Sequence, residues 1–187
     1  CDRLVRNDRV IWGSCMVACG DADAMVTGNT RRYGQSLQKI TKVIPPRPGE
    51  IMFGLNMVVN KGKTVFIGDT SVHEYPSSRQ LADIAISSAR VVRLFGFTPK
   101  VAFLSHSTFG QPMTSRTKHI RDAVEILKEM KVDFKFDGDM QPDVALNEEY
   151  KELYPFSDIV GKANVLIMPG QHSAAISYKI MKTLGGA

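Results

Sequence analysis

Cysteine is scarce in this chain: Cys1, Cys15 and Cys19 are all that 187 residues contain. An odd count, with no Cys/His set at zinc spacing, argues against a disulfide scaffold and against a structural metal. Cys15 and Cys19 stand at i, i+4 on one predicted helix face and read as small residues turned toward a core. Long apolar runs are missing, and so is a basic-plus-apolar leader. Neither a membrane span nor an export signal is therefore expected. Basic blocks are missing as well. The net charge is +5, yet Lys and Arg are scattered and only Arg31-Arg32 are adjacent. A nucleic-acid groove is not expected; a solvated surface with a local anionic-ligand site accounts for the charge. No repeat of fixed period and no low-complexity segment is present. With 43% hydrophobic and 23% charged residues, the chain has the make-up of a soluble globular protein, and the odd cysteine count without a leader predicts reduced thiols in the cytoplasm. It starts without methionine and ends Leu184-Gly185-Gly186-Ala187, so both ends are expected to be cuts in a longer protein.

What is present alternates between strand and helix patterns. Asp2 to Cys19 reads as one helix, Ala24 to Thr27 as a short strand, and Ser36 to Ile44 as a helix. Pro45-Pro46-Arg47-Pro48-Gly49 forbids helix and marks a stiff joint. It is expected to divide residues 1–44, the end of one subdomain, from a second subdomain over 50–187. Ile51 to Val59 and Thr64 to Ile67 flank Asn60-Lys61-Gly62-Lys63, a hairpin turn. Gly62-Lys63-Thr64 is not a P-loop, because Met57 stands where the first glycine is needed and a strand follows. Ser77 and Gln80 form a capping box ahead of a helix stopped by Gly96. Val101 to Leu104 is a buried strand. It breaks into Ser105-His106-Ser107-Thr108, and Thr114 or Ser115 then caps a helix bearing Ile120, Val124, Leu127 and Met130. Val132, Phe134 and Phe136 alternate as a strand ending in Asp137 to Asp143. Asn164 to Met168 is a fully buried strand, ended by Pro169 to Ser173 and followed by a last helix.

This alternation predicts an α/β fold with a mostly parallel sheet and helices on both faces. Five strand ends are polar: Thr27 to Arg32, Gly68 to Ser71, Ser105 to Thr108, Asp137 to Asp143 and Gly170 to Ser173. In a parallel sheet such loops share one edge and line one crevice. Their hydroxyls, amides and backbone N–H groups suit a polar, phosphate-bearing ligand. Thr30, Arg31 and Arg32 either grip phosphate or form a solvated pair. Asp137 is either a functional carboxylate or a turn residue closed by Gly138. Asp137, Asp139, Gln141 and Asp143 fall at the alternate positions of an EF-hand loop, but Pro142 occupies the obligatory glycine position, so calcium and other metals are not expected. His106 reads as a hydrogen-bonded loop residue, since no G-x-S-x-G elbow accompanies Ser105 and Ser107. No catalytic residue is assigned.

Gly20 to Gly28, Leu104 to Gly110, Asp137 to Asp143 and Ala163 to Pro169, in that order, resemble motifs of the phosphate acetyl/butyryltransferase (phosphotransacetylase) family. The resemblance covers nearly the whole chain. Cys1 to Arg9, Gly20 to Thr27 and His172 to Ser177 are more specifically similar to the phosphotransacetylase-like C-terminal domain of bacterial hybrid NADP-dependent malic enzymes. The resemblance implies a fragment of a two-domain α/β unit, of the phosphotransacetylase and isocitrate/isopropylmalate dehydrogenase-like type, with a cleft for coenzyme A. It implies that Ser105, Ser107, Thr108, Asp137 and Gln141 lie along that cleft.

The departures from the transferases matter equally. A substrate-holding arginine of that family has no counterpart at Gly34-Gln35-Ser36. The family's Ser-Arg pair and later aspartate would lie past Gly185-Gly186-Ala187. The resemblance therefore implies a domain that binds acetyl-CoA, or another small acyl-CoA, as a regulatory ligand. It would act on an attached malic-enzyme domain that itself carries NADP and a divalent metal, in a homo-oligomer. Alternatives are a catalytic phosphate acetyltransferase and an oligomerisation module.

Overall fold

In a computed structural model of the protein, residues 2–187 are described. Cys1 lies outside them. The chain divides into two compact units, residues 1–50 and 51–187.

Unit 1 is helical. The single helix expected over Asp2 to Cys19 is two: α1 (Asp2–Asn7) and α2 (Arg9–Cys19). The break falls at Asp8. Its carboxylate accepts from the N–H of Val10 at 2.9 Å and of Ile11 at 3.4 Å, so it caps α2 and cannot continue α1. Gly20 closes α2 with φ +82. Lys39, on α3 (Tyr33–Thr41), donates to Asp8 and holds that carboxyl below its ordinary pKa. The strand expected at Ala24 to Thr27 does not form, and Val26 is fully exposed. A strand needs a ladder partner, and unit 1 has none among the described residues. Cys19 is exposed and Cys15 half-buried, so the expectation that both face a core fails.

Unit 2 is a five-stranded sheet in the order β1-β2-β5-β3-β4. β1 (Leu55–Asn60) and β2 (Lys63–Gly68) form the expected hairpin. β2, β5 (Val165–Ile167), β3 (Lys100–Leu104) and β4 (Lys135–Met140) run parallel. Alternate strand residues feed two cores, as the period of two requires. Phe66, Val101, Phe103, Val165 and Ile167 pack with Leu81, Ile84 and Val92 of α4 (Ser78–Leu94) and with Ile120, Val124 and Leu127 of α5 (Ser115–Met130). Val65, Ile67, Ala102, Leu104 and Leu166 face Val144 and Ala145 of α6 (Pro142–Leu146), and Ala174 of α7 (Gln171–Gly185). Each fully buried phenylalanine contributes about 2–3 kcal/mol by leaving water. Helices therefore cover both faces of a mostly parallel sheet, as expected.

Both predicted caps are present. Ser77 and Gln80 bond reciprocally at the start of α4, and Thr114 and Thr117 do so at the start of α5. One strand runs on where a loop was expected: Asp137 to Met140 belong to β4. No helix among the described residues is long and apolar enough to cross a membrane.

Candidate functional site

Four parallel strands place their carboxyl ends on one edge of unit 2. Backbone bonds stitch these ends together. Met168 N–H donates to Gly68 at 2.7 Å, Ser105 N–H to Met140 at 2.9 Å, and Gln171 N–H to His73 at 3.0 Å. The fifth polar stretch, Thr27 to Arg32, is not a strand end and belongs to unit 1. There Thr30, Arg31 and Arg32 are exposed. Thr30 and Arg31 border a hollow of about 370 Å³ beside Trp12 and Arg9, and Arg31 comes within 4.0 Å of Asp8.

Two buried aspartates organise the edge, and sequence reasoning assigned neither. Asp69 follows β2 and is 1% exposed. Its Oδ1 accepts the N–H groups of Gly54 at 2.7 Å, Ser71 at 2.9 Å and Val72 at 3.1 Å. Its Oδ2 accepts the His73 N–H at 2.8 Å and lies 2.7 Å from His73 Nδ1. The carboxylate thus folds the β2–α4 loop around itself. Beyond it, His172 Nε2 meets Glu74 Oε1 at 3.1 Å.

Asp139 does the same for the β3–α5 loop. The pairing of β3 with β4 shifts register, with Phe103 opposite Gly138 and Leu104 opposite Met140. Asp139 is therefore the extra residue of a bulge, which re-aims its side chain. Gly138 has φ +150, and a Cβ there would lie 2.7 Å from the Phe103 carbonyl oxygen, so only glycine fits. Asp139, with no exposed surface, accepts from the Ser107 hydroxyl and from the Gly110 N–H at 2.9 Å. Arg121 stands 3.9 Å away.

Of the expected site residues, Ser105, Ser107, Thr108 and Gln141 are brought together. Ser105 and Ser107 are buried, with their hydroxyls 3.1 Å apart. Gln141 N–H donates to Thr108 Oγ1 at 3.3 Å. Thr108 and Gln141 line a cavity of about 530 Å³ with Phe109, Asp143, Tyr150 and Phe156. Phe109 and Phe156 meet edge to face at 4.8 Å. The Tyr150 hydroxyl donates to the Asp143 carboxylate, and that bond first, then the repulsion a phenolate would meet there, raises the phenol's pKa. Asp137 is not at the strand end. It lies within β4 opposite Ala102, half-buried, and bonds the Gly138 N–H at 2.9 Å. A second cavity of about 420 Å³ opens at the same edge between Glu74, Arg116, His119 and His172. His106 is exposed. A further hollow, about 650 Å³, lies at the opposite end of the strands, near Lys100 and Lys135.

A mostly parallel sheet with helices on both faces and a hydroxyl- and amide-rich carboxyl edge defines an α/β module. The chain belongs to the phosphate acetyl/butaryl transferase family, whose sequence pattern matches residues 1–187. It is 46% identical to an NADP-dependent malic enzyme of Rhizobium meliloti over 99% of the chain and 24% of that protein. It is 30% identical to a phosphate acetyltransferase of Buchnera aphidicola over 94% of the chain and 25% of that protein. The chain thus spans about a quarter of the length of these relatives. A phosphotransacetylase from Streptococcus pyogenes superposes with a TM-score of 0.87 at 29% identity, over 94% of this chain and 55% of that one.

Proposed function

We propose that this chain is the phosphotransacetylase-like part of an NADP-dependent malic enzyme and binds acetyl-CoA as a regulatory ligand. The observation that carries this reading is the identity gradient: 46% to a malic enzyme against 30% to a phosphate acetyltransferase, each over nearly the whole chain. The carboxyl edge supports it physically. Thr108 and Gln141 offer a hydroxyl and an amide to the amides of a pantetheine arm. Phe109 and Phe156 offer an apolar wall. Ser105, Ser107 and Asp139 hold the loop that presents them. Thr30, Arg31 and Arg32 belong to unit 1 and stay a separate proposed phosphate contact there, and Asp137, paired within β4, is left out of the proposed site.

The parent would oxidise and decarboxylate malate to pyruvate in the cytoplasm as a homo-oligomer. NADP and a divalent metal would be held by its malic-enzyme domain. Control follows from linkage: a ligand that prefers the less active state lowers malate turnover by its differential affinity. The test is malate oxidation by the full-length protein across an acetyl-CoA series. The expected result is a saturable fall of about fivefold or more, within the usual range of coupling energies. An unchanged rate would end the regulatory reading. If thiol is released from acetyl-CoA with phosphate instead, the acetyltransferase reading replaces it.

A further inference from the structure

One serine outside the proposed ligand site is bonded to a histidine. Ser78 is the first residue of α4, and its hydroxyl lies 2.9 Å from Nδ1 of His119 on α5. On the other side of the ring, His119 Nε2 lies 2.8 Å from the Pro76 carbonyl oxygen. A carbonyl oxygen only accepts, so Nε2 carries the hydrogen. In the neutral imidazole Nδ1 then holds the lone pair, and the Ser78 hydroxyl donates to it. Both side chains are half-buried. Pro76 and His119 wall the cavity of about 420 Å³ at the carboxyl edge, and Tyr75, Ile120 and Pro169 give it apolar surface.

A hydroxyl, a ring nitrogen able to take its proton, and a third group that holds the ring in the required tautomer are the parts of an activated nucleophile. The place of Ser78 in its helix adds an acceptor for charge. The first turn of a helix leaves its N–H groups without intrahelical acceptors, so those of Ser78 and Arg79 can receive the negative charge that develops on a carbonyl oxygen held at Ser78. Ser115 is the first residue of α5 as Ser78 is of α4, but it is exposed and has no histidine partner among the described residues. The two serines therefore share a helix-terminal setting and differ in the base.

We propose that Ser78 and His119 form a nucleophile–base pair that takes the acyl group of small oxygen esters and passes it to water. Ser78 Oγ attacks the ester carbonyl carbon while His119 Nδ1 takes the hydroxyl proton. The bond from that carbon to the alcohol oxygen breaks, and the alcohol leaves with the proton from Nδ1. Water then attacks the acylated Ser78 and gives a proton to the same nitrogen. The acid departs, and Ser78 Oγ recovers its proton from His119.

The test is labelling of the full-length protein by diisopropyl fluorophosphate, whose phosphorus takes the place of the acyl carbon and whose adduct does not turn over. Initial rates are read at each serine by peptide mass spectrometry, with Ser115 as the internal reference. Ser78 is expected to react about a hundredfold faster than Ser115, the lower end of what a positioned general base contributes. His119→Gln is expected to bring Ser78 down to the reference rate and leave Ser115 unchanged. Hydrolysis of p-nitrophenyl acetate is expected to fall at least about tenfold in Ser78→Ala. A contact that only ties α4 to α5 would give equal rates at the two serines. That result in the unaltered protein, indifference of Ser78 to His119→Gln, or undiminished hydrolysis in Ser78→Ala would overturn the proposal. None of these readouts depends on acetyl-CoA binding at the carboxyl edge.

Discussion

Asp69→Ala is expected to destabilise unit 2 by roughly 3–5 kcal/mol, the largest effect of any single polar substitution considered. The carboxylate accepts four backbone N–H groups and faces the His73 ring while 1% exposed. Alanine leaves those donors without an acceptor inside the β2–α4 loop. Partial entry of water limits the loss, which is why it stays below the sum of five bonds. Asp69→Asn separates geometry from charge. Its oxygen still serves Gly54, Ser71 and Val72, but its amide nitrogen opposes the His73 donors, and about 1–2 kcal/mol should be lost. Denaturant unfolding of the full-length protein, resolved for this unit, gives both values. A loss under 1 kcal/mol for alanine would show that the loop is held by other contacts.

Asp139→Ala is expected to cost roughly 2–4 kcal/mol and to weaken acetyl-CoA binding with it. The Ser107 hydroxyl keeps Ser105 as a neighbour, but the Gly110 N–H loses its acceptor. The bulge remains because Gly138 sets it. The loop carrying Thr108 then keeps the Phe109 N–H bond to the Asp139 carbonyl, its Gln111 bridge and the Gln141 N–H bond to Thr108 Oγ1, but loses the buried carboxylate that anchored Ser107 and Gly110. Stability and affinity should therefore fall together, whereas Thr108→Val should lower affinity at a stability cost of only about 1 kcal/mol, from the one Gln141 N–H it leaves unpaired. Ligand titration beside denaturant unfolding distinguishes the two patterns.

Much of unit 2 was legible in the sequence, because its signals are local. Apolar runs of strand length, the Ser77/Gln80 box and the Thr114 cap each act within a few residues. The carboxyl edge follows from strand direction, so Ser105, Ser107, Thr108 and Gln141 could be grouped in advance. Asp137 and Asp139 could not be placed. A D-G-D run has poor strand propensity and reads as a turn, yet pairing with β3 and burial against Ser107 and Gly110 carry β4 through it. The bulge that aims Asp139 depends on a register shift with a strand more than 30 residues away. The Ala24 to Thr27 error has the opposite origin. Its residues favour strand, but none of the described residues of unit 1 pairs with them. Asp8 was passed over because a capping aspartate inside a helical period looks like one more solvated charge.

Calorimetric titration of the full-length protein with acetyl-CoA, alongside Gln141→Ala, shows whether the carboxyl edge seats the ligand. The expected result is one saturable site per chain in the unaltered protein, with affinity about tenfold weaker in the variant, the loss of one good hydrogen bond to ligand. Absence of saturable binding in the unaltered protein, or equal affinity in the variant, would contradict a ligand seated at the carboxyl edge of this sheet.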